Sequence, residues 1–360
     1  MAHLKLDMSH LLFFIFTFAF SFLINALFLK FSLTMGTKDA KDPHTSIRWG
    51  STSKPAFGGI SFYIIFLASF AFYATLFSSE PIVKSFVGVL IASSLGFIIG
   101  LADDAYNTKP LLKLLGQILC GVVLVLTDNY IELFESSFFN YSFTVLWVVG
   151  LMNSINMLDN MDGVTTVVSV GVILGTLCSL VIIGEYDHFY SWLLLGVLAS
   201  LLGFLYFNWN PSKMYMGDTG SQFLGVFLAA ISICFFWNSK GDSGVEKAVF
   251  IKVIIPFLVF LPSIVDTTVV VINRLLKKQS PFIGGKDHTT HHLSYLGWSD
   301  RSIAIFFFCL SVLSIGVGLY LNHYVKEPSL TANRLSVLYC LVVFGGLFTV
   351  TKISKSKIKE

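Results

Sequence analysis

Eleven stretches of this sequence are apolar enough and long enough to cross a lipid bilayer, and no other feature constrains the fold as tightly. A helix rising 1.5 Å per residue needs about 17 to 25 apolar residues to span the hydrocarbon core. Such stretches lie near residues 9–31, 57–77, 82–102, 111–127, 138–155, 163–183, 189–207, 221–237, 249–272, 302–321 and 335–350. Inside lipid every backbone N–H and C=O must be satisfied within the segment, so long apolar runs of this kind become helices. The sequence therefore predicts an all-α polytopic membrane protein of about eleven transmembrane helices, with one membrane domain over residues 1–360. Connections rich in Pro, Gly, Asn, Asp and Ser join the spans, and none is long enough to hold a separate soluble domain. The first run, Leu11 to Leu29, lacks a small-residue cleavage site before Lys30, so it reads as a retained helix rather than a signal peptide.

Composition agrees: apolar residues make up 55% of the 360 residues and charged residues 12%. A net charge of +3, dispersed along the chain, argues against nucleic-acid binding. The expected partners are lipids and small molecules, with the basic tail at 351–360 (Lys352, Lys355, Lys357, Lys359) placed to lie on anionic lipid. Association into a homodimer is compatible with such a chain. All five cysteines fall within apolar runs, without metal-knuckle or disulfide spacing, and read as packing residues.

Positively charged loops stay on the cytoplasmic side. With the N-terminus outside, the inner segments carry 17 of the 24 Lys and Arg residues and the outer segments 7. The expected orientation is N-terminus outside and C-terminus in the cytoplasm.

The polar residues that an apolar chain has no packing need for gather in alternate connections, all on that inner face. The first group ends the third span: Asp103 and Asp104, followed by Pro110, Lys113 and Gln117. A carboxylate at mid-bilayer costs about 2.5 to 3.5 kcal/mol, so adjacent aspartates belong at the interface, facing water or a cation. An ordinary pair of helix-end charges is the simpler alternative. Lys113, near a helix N-terminus with unpaired N–H groups, suits a phosphate. In the second group, Asn153, Asn156 and Asn160 form one helical stripe beside Asp159 and Asp162; helix-to-helix hydrogen bonding is the competing explanation. The third contains Asn208, Pro211, Lys213 and Asp218, the last between Gly217 and Gly220. Asp218 suits magnesium, which takes one or two carboxylates together with substrate phosphates.

The fourth group is a long inner loop with Lys286, Asp287, His288, His291 and His292. No cysteine accompanies these histidines, so phosphate contact fits better than zinc. Arg48 and Lys54, ahead of Gly58 and Gly59, add a basic, glycine-bearing surface. Asp266, inside the ninth span, reads as a helix-pairing carboxylate rather than a catalytic one.

In this order the four groups resemble the polyprenyl-phosphate N-acetylhexosamine-1-phosphate transferase family, glycosyltransferase family 4, over most of the chain. The matching residues are Asp103 and Asp104 with Lys113 and Gln117; Asn153, Asn156, Asp159, Asp162 and Gly163; Phe207, Asn208, Pro211 and Met216 to Ser221; and His291 with His292. Asn160 stands where the family usually has glycine and Thr289 where a further histidine is common. The segment "HTTHHLSYLGW" lacks the three consecutive histidines and Phe-Glu usual in the peptidoglycan branch, so the chain looks like the branch initiating O-antigen, enterobacterial common antigen or teichoic acid lipid intermediates.

The resemblance implies a phosphotransferase of the bacterial inner membrane with its active site on cytoplasmic loops. The implied donor is UDP-N-acetylglucosamine or a close relative and the acceptor undecaprenyl phosphate, with magnesium, or manganese in its place, as cofactor. Asp218 would hold the metal, and Asp103 and Asp104 would activate the acceptor, with Asp103 also supporting the metal. Lys54, Lys113, His291 and His292 would contact phosphate, and Asn153, Asn156, Asp159, Asp162 and Asn208 would shape the pocket. The alternatives are a phospho-MurNAc-pentapeptide transferase, a membrane prenyltransferase and a transporter. A prenyltransferase has no place for "MGDTGS" beside a histidine loop, and the sequence shows neither the inverted repeats nor the paired broken helices of a transporter.

Overall fold

The computed structural model describes residues 8–34, 54–76, 83–185, 189–239, 249–281, 284–325 and 329–358. Arg48 lies outside them, as do the side chains of Lys355, Lys357 and Lys359. Every described element is helical: α1 (Met8–Thr34), α2 (Gly58–Leu76), α3 (Lys84–Tyr106), α4 (Pro110–Leu126), α5 (Ser137–Leu158), α6 (Val164–Ile183), α7 (Phe189–Asn208), α8 (Gly217–Ser232, continued by a π turn to Trp237), α9 (Val249–Val259), α10 (Leu261–Leu276), α11 (Thr289–Tyr295), α12 (Asp300–His323) and α13 (Leu330–Ile358). Each apolar stretch read from the sequence coincides with a helix, and the all-α polytopic membrane architecture is borne out.

One span is not a single helix. The stretch at 249–272 is bent by 81° between α9 and α10. Proline explains the break: Pro256 lies within α9 and Pro262 within the first turn of α10. Neither ring has an N–H to donate, and Phe260 between them takes φ −104°, ψ 15°. Nine other described helices are long and apolar enough to cross the membrane, and α4 is a shorter apolar helix of 17 residues.

Helices α7 and α8 form the buried centre, whereas α1 and α13 lie at the periphery with most of their apolar side chains exposed, as lipid-facing helices do. Phe62, Phe66, Phe204, Phe223 and Phe227 interlock in the centre, mostly edge to face. Below them α2 and α3 come almost into backbone contact with α8. A Cβ on Gly59 would stand 2.2 Å from the Gly220 nitrogen, and one on Gly100 2.2 Å from the Asp218 carbonyl oxygen. These approaches draw the ends of α2, α3 and α8 together where the polar residues gather.

Candidate active site

The adjacent aspartates at the end of α3 face different partners. Asp104 accepts the backbone N–H groups of Asp218 (3.0 Å) and Thr219 (2.9 Å) and the Thr219 hydroxyl (2.6 Å). It thereby caps the N-terminus of α8 from another helix, where a carboxylate complements the unpaired donors. The chain enters α8 through Gly217 at φ +73°, where a side chain would be strained and a Cβ would come within 2.5 Å of the Asp104 carboxylate. Asp103 accepts the Thr108 N–H and hydroxyl (2.9 and 2.6 Å) and the Lys113 ammonium (2.7 Å).

Lys113 carries that group across to α5 and α8. Its Nζ lies 3.2 Å from Asp218 Oδ1 and 3.3 Å from Asn156 Oδ1. Asn156 in turn donates to Asp218 and to the Ser221 hydroxyl. Behind them Gln117 exchanges hydrogen bonds with Asn153 (2.8 and 3.3 Å) and donates to Gln222 (2.9 Å). Three consecutive helices, α3, α4 and α5, thus meet the distant α8 on one polar face, with Lys113 as the cation between two carboxylates. The first, second and third sequence groups form one site.

A second polar group adjoins it. Asp162 accepts the Ser212 N–H (2.9 Å) and hydroxyl (2.7 Å) and the Asn210 amide (3.1 Å). Lys54 stands 3.8 Å from Asp162, donates to the Ser212 hydroxyl (2.9 Å) and lies over the Tyr215 ring. The same Asn210 amide reaches Asp300 (3.2 Å), and Arg301 donates to the Asn210 carbonyl (2.8 Å), so the start of α12 completes this side. Asn208, only 2% exposed, accepts the Gly163 N–H and the Thr166 hydroxyl and donates to the Met214 carbonyl. It shapes the site from behind, tying the end of α7 to the two loops that carry Asp162 and Lys213. Asp159 sits half-buried at the C-terminus of α5.

The histidines occupy α11, which joins the rest of the site where the Thr290 hydroxyl bonds the Asn160 side chain. His291 and His292 are 3% and 4% exposed. Burial, with a smaller effect from neighbouring His288, pushes the His291 pKa down to about 4, so its ring is neutral at pH 7 and can offer hydrogen bonds but no charge. His292 Nδ1 meets the Ser354 hydroxyl on α13. Just before α11, Asp287 makes a two-pronged ion pair with Arg274 (2.9 and 2.7 Å). Although burial pushes the Asp287 carboxyl up, the Arg274 guanidinium holds it below the usual carboxylate range.

Among the described residues no three His, Cys, Asp or Glu side chains converge as a complete metal cage. The carboxylates of Asp103 and Asp218 instead converge on one cation, Lys113 Nζ, and among the described residues Asp218 Oδ2 carries no hydrogen bond. Two carboxylates with an unengaged oxygen suit magnesium, which draws its other ligands from water and substrate phosphates.

Several residues of this site carry little sequence signal. Gln222 is one helical turn beyond Asp218, next to the motif residue Ser221, and that i+4 spacing marks it in retrospect. Ser354, Asp300 and Arg301 have no such marker, because only the tertiary fold brings them in.

Residues 86–236 match the family described as glycosyl transferase family 4. A Bacillus subtilis (strain 168) protein named "Probable undecaprenyl-phosphate N-acetylglucosaminyl 1-phosphate transferase" is 29% identical over 85% of this chain and 82% of its own length. Proteins named phospho-N-acetylmuramoyl-pentapeptide-transferase are similar as well. That of Staphylococcus haemolyticus (strain JCSC1435) is 29% identical over 75% of this chain and 86% of its own length. That of Enterococcus hirae is 28% identical over 72% and 81%. The resemblance to this family is borne out by the match over residues 86–236 and by the similarity to these named transferases over most of the chain.

Proposed function

We propose that this protein transfers an N-acetylhexosamine 1-phosphate, specifically N-acetylglucosamine 1-phosphate, from its UDP-sugar to undecaprenyl phosphate and releases UMP. The reaction takes place at the cytoplasmic face of the bacterial inner membrane, with the N-terminus outside. The carrying observation is Lys113 held between Asp103 and Asp218 at the ends of apolar helices, with Asp104 fixing the helix that presents Asp218. Anion-binding cations and paired carboxylates at the membrane surface suit the joining of a lipid phosphate to a nucleotide sugar.

The acceptor phosphate monoester has a second pKa near 6 and is largely dianionic at neutral pH, so it needs positioning and neutralisation more than a general base. One of its oxygens attacks the sugar-bearing β-phosphorus; the bond from that phosphorus to the bridging oxygen breaks, and UMP leaves with the electron pair. Lys113 and Lys54 offset the negative charge. Asn156, which also donates to the Ser221 hydroxyl, holds the Asp218 side chain in register, and Asp162 with Ser212 and Asn210 forms a polar wall for the nucleotide. Asp218 and Asp103 would hold magnesium, or manganese, which supplies charge neutralisation at the pyrophosphate.

The peptidoglycan reaction is the second reading, favoured by the relatives named for it. The loop over 287–292 argues for the first, because it has paired rather than triple histidines. The two are separated by supplying purified protein with undecaprenyl phosphate, magnesium and either UDP-N-acetylglucosamine or UDP-MurNAc-pentapeptide. Labelled lipid should form from the first donor, and equal or better use of the second would overturn this choice.

A further inference from the structure

Asp266 is fully buried, yet all its hydrogen bonds run to one short segment. Oδ2 lies 2.8 Å from His288 Nδ1, while Oδ1 accepts the Thr289 N–H (2.8 Å) and the Thr289 hydroxyl (2.5 Å). Pairing two spanning helices would need no such geometry, and a carboxylate in an apolar span is costly unless it serves a purpose. The segment it grips opens α11, which bears His291 and His292 and bonds Asn160 at the site.

With Nδ1 engaged by the carboxylate, Nε2 is the remaining polar atom of the His288 ring, and among the described residues it carries no hydrogen bond. A carboxylate opposite Nδ1 fixes the ring proton there. We propose that Asp266 is a positioning residue of the transferase site: it holds His288 with Nδ1 protonated and its ring fixed at the start of α11, so that Nε2 meets the substrate. The proposal rests on the transferase reading above. His288 would take the place of the histidine that Thr289 lacks, and Nε2 would receive an O–H or N–H of the sugar donor.

The arrangement makes Asp266→Asn unusually informative. The Thr289 N–H and hydroxyl both donate to Oδ1, so the amide oxygen must face them and the amide NH2 must face His288 Nδ1. The ring proton then moves to Nε2, and the atom presented to substrate changes from acceptor to donor with little change of shape.

Two readouts test this on the full-length protein. In the transfer assay, Asp266→Asn and His288→Gln should each lower kcat 10- to 100-fold with the KM for UDP-N-acetylglucosamine changed less than threefold. The double variant should be no slower than the slower single one. Independently of turnover, diethyl pyrocarbonate acylates an unprotonated ring nitrogen. Mass-spectrometric mapping should show His288 labelled in the wild type, protected by UDP-N-acetylglucosamine with magnesium, and labelled at least tenfold more slowly in Asp266→Asn. If Asp266→Asn does not fold, His288→Gln decides alone, and a wild-type rate in it overturns the proposal. Loss of activity in Asp266→Asn with unchanged His288 labelling also overturns it. A wild type that transfers no sugar phosphate, yet shows the expected labelling contrast, sinks the transferase reading and leaves the Asp266 and His288 pairing standing.

Discussion

Lys113 Nζ lies 3.2 Å from Asp218 Oδ1, although 104 residues separate the two in the chain, and the same nitrogen is 2.7 Å from Asp103. An ammonium shared by two carboxylates offsets the repulsion between them, and in the proposed reaction the same group would serve a metal ion and substrate phosphates. Asp218→Asn keeps the size and removes the charge. Losing about 3 to 4 kcal/mol of transition-state stabilisation should slow transfer on the order of 100- to 1000-fold. The melting temperature should change little, because Asp218 remains 31% exposed at the site. Near-normal turnover of Asp218→Asn at low magnesium would remove it from the metal assignment and point to Asp103.

Asn208 should behave differently. Its amide satisfies three partners in a site 2% exposed, so Asn208→Ala leaves buried donors and an acceptor unpaired. The expected cost is about 2 to 3 kcal/mol of stability. Thermal unfolding in detergent should show it as a drop of several degrees, with activity lost mainly through the altered loops. Unchanged stability with a raised donor KM would make Asn208 a direct substrate contact instead.

The apolar spans, the polar stripe at Asn153 and Asn156, and the grouping of the polar clusters were legible in the sequence, because long apolar runs leave so few other roles for polar residues. Asn160, read as the third member of that stripe, lies beyond the end of α5 at Leu158, and the last span, read as 335–350, runs over Leu330–Ile358. The division of labour between Asp103 and Asp104 was not legible. Adjacent residues on a helix point about 100° apart, and only the packing of α8 decides which one caps it. Nor was the bend at Phe260, since apolar content runs through it unbroken and only Pro256 and Pro262 mark it. Asp266 read as a helix-pairing group because its partner loop, 22 and 23 residues on, lies beyond any helical spacing.

His291 supplies a pH signature. Its folded pKa of about 4 lies below the ordinary 6.5, so between those values the unfolded chain binds a proton that the folded protein refuses. Stability contributed by the neutral ring is fully present above about pH 6.5 and declines as pH falls toward 4. The melting temperature should fall through that window, and His291→Gln should flatten the slope. Asp287, held below the usual range, loses its contribution only below about pH 4, in a separate window. An identical slope in His291→Gln would show that another group titrates there.

The orientation predicts that cysteines placed at exposed Ser136 and exposed Lys278 react with an impermeant reagent from opposite sides of sealed vesicles. Reaction from the same side would contradict the topology.

The nucleotide product distinguishes transfer of a sugar phosphate, as proposed, from transfer of the sugar alone. Purified protein incubated with UDP-N-acetylglucosamine, undecaprenyl phosphate and magnesium should release UMP in equal amount to the labelled lipid extracted. Lipid labelling accompanied by UDP would mean that the glycosidic bond had broken instead of the pyrophosphate, and the protein would not be a sugar-phosphate transferase.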